Sequence, residues 1–170
     1  VNDAHGPIAE WDVSIVTDLS GIFANTNYFN ADVSKWDVSS VTGMSRMFAR
    51  ASSFNGNIAN WNVSSVTDMS MMFMHAKSFQ CDLSEWEVSN VKDMAGMFSK
   101  TPLNSDLSEW DVSSVADMSS MFDGARFFNS DISNWDVSRV TDMTRMFTLA
   151  TSFNQDISKW DILSVATMGY

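Results

Sequence analysis

A chain of 170 residues with 21 acidic and 10 basic side chains carries a formal net charge of −11. This argues against a nucleic-acid partner, because phosphate binding needs a dense basic surface, and equally against an electrostatic hold on anionic lipid. No apolar run reaches the roughly 18 residues needed to span a bilayer, and the one cysteine, Cys81, cannot close an internal disulfide or identify a redox compartment.

Residues 1–7 (VNDAHGP) fit no later pattern and read as a lead-in segment. From Ile8 a single repeat domain runs over 8–170. It is anchored by Trp11, Trp36, Trp61, Trp86, Trp110, Trp135 and Trp160, which lie 25 residues apart except for the step of 24 from Trp86 to Trp110. A fixed period of this length marks a stacked array in which each unit buries its apolar face only against its neighbours. The chain lacks an initiator methionine and stops midway through a repeat. It therefore reads as a processed product or a piece of a longer array, truncated at its C-terminal end, whose last layer is capped by further repeats or a neighbouring subunit.

Within each period, the spacing of Ile8, Trp11 and Val13, repeated at Val33, Trp36, Val38 and onward, predicts a short strand with Trp and the following Val on one face. Val66, Met69, Met72, Phe73 and Ala76 then recur at the helical period and predict a helix of two to three turns. Ser65, three residues before Asp68, suits a helix cap with an acid in the first turn, and the preceding Ser64 is an equal candidate. The chain returns through Phe-Asn pairs such as Phe54-Asn55 and Phe128-Asn129, and the short repeat loses its residue in this return, between Phe98 and Leu107. The expected architecture is an α/β stack with one short parallel strand and one short helix per turn.

The run V-T-x-M-x-x-M-F-x-x-A-x-x-F-N-x-D-I-S-x-W-D-V-S resembles the 25-residue repeat of BspA-like leucine-rich-repeat surface proteins, seen also in mycoplasma lipoproteins and algal repeat proteins. The match covers residues 8–170. The resemblance implies a right-handed leucine-rich-repeat-like solenoid, a role in adhesion or protein–protein binding, and a cell-surface or secreted location. It supplies no catalytic residue to carry over.

The acids fall into three columns: beside Trp (Asp37, Glu87, Asp111, Asp136, with Asn62 interrupting), four residues before it (Asp32, Asp82, Asp106), and ahead of the Met (Asp68, Asp93, Asp117). Aspartates in such places ordinarily accept hydrogen bonds from turn N–H groups; the sharper alternatives are a partner surface or Ca²⁺. Converging oxygens and Gly-rich calcium turns are missing, so no metal is expected. The Met69/Met72 and Met118/Met121 pairs read as core rather than Cu(I) ligands. His5 and His75 have no nucleophile pattern near them, Cys81 stands in a column of small residues, and the Asn62-Val63-Ser64 sequon lies inside a predicted strand. The chain therefore reads as a non-enzymatic scaffold or adhesion module without cofactor, binding another protein with a basic surface. Its contact face would be the outward neighbours of each Trp: Lys35, Asp37, Glu85, Glu87, Glu109, Asp111, Asn134 and Asp136. The rival readings are a structural accessory subunit of a larger assembly, such as an algal organelle complex, and a carbohydrate-binding surface module.

Overall fold

The computed structural model describes residues 6–169; most of the lead-in segment, with His5, lies outside them. Each repeat forms one layer of a stack. The layers are joined by isolated parallel bridges running Asp18–Gly43–Asp68–Asp93–Asp117–Asp142–Thr167.

Neither expected element forms. The described residues hold no α-helix and no strand, only a 3-10 turn at Ile8–Glu10 and six single bridges. The α/β leucine-rich-repeat solenoid, with a strand and a helix per turn, is therefore corrected to a stack built from turns.

The second layer shows why the helix fails. A helix sends every N–H back four residues. Here the N–H groups of Met44, Arg46, Phe48 and Arg50 cross to the carbonyls of Asp68, Ser70, Met72 and Met74 in the next layer, at 2.7–2.9 Å. The alternate groups, on Met47, Ala49 and Ala51, turn back three residues to Met44, Arg46 and Phe48. The result is a string of tight turns whose even members also form a ladder between layers. Such turns need left-handed backbone, found at Arg46 (φ 56) and Arg50 (φ 61) and again at Met71/His75, Gly96/Lys100, Ser120/Gly124 and Arg145/Leu149. Consecutive three-residue turns bring Met44, Met47, Phe48 and Ala51 inward at a spacing close to that of a helix. The sequence pattern was real, but its cause was different.

The Trp segment fails as a strand because side chains bend it at both ends. The Oδ1 of Asp32 accepts the Ser34 N–H (2.9 Å), and that of Asp37 accepts the Ser39 N–H (3.0 Å). Such local acceptors compete with ladder bonding and close tight turns. Between them the Trp36 N–H returns to the Val33 carbonyl at 3.1 Å. Three residues between two bends leave no length for a strand.

The core lies between the Trp segment and the turn ladder. Phe48, Phe73, Phe98 and Phe122 stack along the axis with centroids 5.8–5.9 Å apart, and Phe54 and Phe79 pair with Phe48 and Phe73 inside their layers at 3.8 and 4.0 Å. The Val, Trp, Met, Phe and Ala columns are buried as their periodicity required. Each buried Phe or Met contributes about 1.5–3 kcal/mol before ordering entropy is set against it. At the short repeat the Phe column passes to Leu103, which is buried, and the stack continues through Phe98 and Phe122. Return loops are joined by an Asn ladder, in which Asn30 Oδ1 accepts the Asn55 N–H and Asn55 Oδ1 accepts the Gln80 N–H, both at 2.9 Å.

Candidate interaction surface

Because each Trp ring points into the core, its neighbours in sequence point out. Lys35, Asp37, Glu85, Glu87, Glu109, Asp111, Asn134 and Asp136 are all exposed. The structure divides them into two classes.

Asp37, Asp111 and Asp136 are occupied. Each Oδ1 accepts the N–H of the serine two residues on (Ser39, Ser113, Ser138) at 3.0 Å. The serine hydroxyl, and then its N–H, hold the Asp37 and Asp136 carboxyls below the usual range. Asn62 performs the same task for Ser64 (3.1 Å), which accounts for the interruption in the acidic column. The third acid column is likewise structural. Asp68 and Asp117 accept N–H groups of Ser70 and Ser119 at 2.8 Å, so the expected Ser65 cap is replaced by an Asp bracket. Asp93 in that column is pushed up, first by burial and then by Asp117 and Asp68, against the opposing Ala95 N–H bond.

Lys35, Glu85, Glu87, Glu109 and Asn134 make no side-chain hydrogen bond within the described residues. Among them the three glutamates gather at the 24-residue step. There, Glu85, Glu87, Glu109 and Asp111 line one groove with Asp82, Ser84, Asp106 and Ser108. Lys35 and Asn134 belong to layers outside this groove. Among the described residues no three His, Cys, Asp or Glu side chains are grouped to hold a metal ion. Met69, Met72, Met118 and Met121 are fully buried, and Cys81 is a free, half-buried thiol.

Sequence reasoning missed a second surface, on the turn ladder across the core. Past the aspartates that open the ladder (Asp68, Asp93, Asp117 and Asp142), Arg46, Arg50, Lys77, Lys100, Arg126 and Arg145 stand there, all exposed, with His75 and one further acid, Asp123, which meets Arg145 at 3.6 Å. Burial first, then Lys100, Arg50 and Lys77, push the His75 pKa down. The other 20 acids share the rest of the chain with only four cations. The signal is in the sequence: on the repeat period these six cations fall 10, 14 or 16 residues after a Trp, away from the acid columns.

Comparison with known proteins adds one finding. Residues 1–103 and 82–170 match the family described as "Mycoplasma protein of unknown function, DUF285". The chain belongs to this family. No curated protein and no solved structure matches it. For this DUF285 chain the leucine-rich-repeat description does not hold, because the layers lack the strand that defines it. None of its described helices is long and apolar enough to cross a membrane.

Proposed function

We propose that this DUF285 chain is a non-catalytic protein-binding module whose groove at Glu85, Glu87, Glu109 and Asp111 takes a basic segment of another protein. The observation that carries the reading is the set of three exposed glutamates that serve no turn, in a chain whose exposed aspartates mostly do. Charge left free of structural work is available to steer and fix a partner. The resemblance to BspA-like surface proteins supports adhesion as the setting and the cell surface as the place. A sugar-binding role lacks its platform: Trp36, Trp61, Trp86, Trp110 and Trp135 are only 3–4% exposed.

The test is titration of octalysine into the wild type and into Glu85→Gln/Glu87→Gln/Glu109→Gln at about 0.15 M salt, where the Debye length is about 8 Å. The wild type binds, and the variant binds roughly tenfold or more weakly with an unchanged melting temperature. Equal binding by the two proteins moves the site elsewhere.

A further inference from the structure

The glutamate groove calls for a basic partner, and the chain carries a basic surface of its own. Arg50, Lys77, Lys100 and Arg126 stand exposed in successive layers of the turn ladder. Beside them, Phe127 is 64% exposed and Leu149 60% exposed. The other large exposed apolar residues are Tyr28, on the same ladder, and a group in the first and last layers.

We propose, resting on the reading above, that the partner of the groove is this basic arc on a second copy of the chain, docked side by side. The groove spans two adjacent layers, those of Trp86 and Trp110, and the arc offers one cation in each of four successive layers. Two neighbouring cations of one copy can therefore face the two carboxylate layers of the other. Surface ion pairs alone give little; Phe127 and Leu149 add the apolar contact that a specific interface contains.

The net charge of −11 does not forbid this. The groove and the arc lie on opposite sides of the core, and exposed charges further apart than about 8 Å, the Debye length at 0.15 M salt, are largely screened from one another. Each responds chiefly to what faces it. The contact is heterologous, since arc meets groove. A bound pair leaves one groove and one arc free, so association extends beyond the dimer.

Neutralising the surfaces one at a time tests this. The wild type is expected to sediment as dimers and longer chains at about 0.15 M salt. Glu85→Gln/Glu87→Gln/Glu109→Gln alone, and Arg50→Gln/Lys77→Gln/Lys100→Gln alone, should each be monomeric. Mixed in equal amounts they retain one cognate arc and one cognate groove, and should form a one-to-one dimer that grows no further. A wild type that stays monomeric up to roughly 1 mM, or a mixture that yields no dimer, overturns the proposal. Octalysine separates the two failures. If it still binds the wild-type groove, only the assignment of a second copy falls; if it does not, the groove reading falls as well.

Discussion

The indole Nε1–H of Trp61 donates to the carbonyl of Val33, 28 residues earlier, at 3.1 Å. The same bond joins Trp86 to Ile58 and Trp135 to Leu107, and it shortens to 27 residues at Trp110 and Leu83, across the short repeat. The Trp that marks each repeat is therefore a fastener between layers as well as a core side chain.

Trp61→Phe keeps most of the ring but removes one of the two donors to the Val33 carbonyl, which keeps the Trp36 N–H. The expected loss is that of one hydrogen bond, about 0.5–1.5 kcal/mol. Trp11 has no partner for its Nε1 among the described residues, so Trp11→Phe should cost clearly less. Denaturant unfolding of the two variants checks this, and equal losses would contradict the fastening role.

Cys81 occupies a working position. Its Sγ accepts the Ile58 N–H at 3.4 Å, where Ser105 and Ser130 accept those of Leu83 and Leu107 at 2.9 and 2.8 Å. A hydroxyl is the better acceptor, so Cys81→Ser should be neutral or stabilising by up to about 1 kcal/mol. Cys81→Ala leaves the Ile58 N–H unpaired and should cost about 1–3 kcal/mol. Thermal melts of the pair decide it; a destabilised serine variant would show that the thiol serves only as a filler.

Stability should depend on pH in two opposed ways. Asp12, Asp37 and Asp136 are held down by serine hydroxyl and then backbone bonds. A lowered folded pKa contributes stability that is complete above the unfolded value near 4 and is lost as pH falls through the folded value. Acid should therefore lower the melting temperature as pH falls below about 4. Asp93 is pushed up, chiefly by burial, so its ionised form costs stability at neutral pH and that cost fades as pH falls. Asp93→Asn can keep the Ala95 N–H bond of 2.9 Å. It should raise the melting temperature at pH 7, with the gap closing near pH 4. A variant less stable than the wild type at pH 7 would contradict the burial argument.

The layer period, the core columns and the place of the deletion could all be read from the sequence, because they depend only on which side chains are apolar and how often they recur. The type of backbone could not. Met44, Met47, Phe48 and Ala51 have nearly the same spacing in a helix and in consecutive tight turns, and Arg46, Met71 and Ser120 give no sign of left-handed backbone as glycine would. The candidate surface was legible as a set of outward residues, but its division was not. Asp37 and Glu87 stand in the same column, and each has a serine two residues on (Ser39, Ser89); only the longer side chain of Glu87 separates a free charge from a turn acceptor.

The basic surface depends on the turn ladder, which sets Arg50 and Lys100 outward on left-handed backbone. Ser120 tests that ladder most directly: its φ is 55, and its side chain makes no hydrogen bond within the described residues. Left-handed backbone costs a residue with a Cβ roughly 1–2 kcal/mol, whereas glycine inside a helix loses roughly 0.5–1 kcal/mol relative to alanine. The denaturation midpoint of Ser120→Gly therefore reads the backbone by its sign. A gain of about 1 kcal/mol is the expected result. A loss of that size would mean that the segment is a helix after all, and the turn-built stack would be wrong.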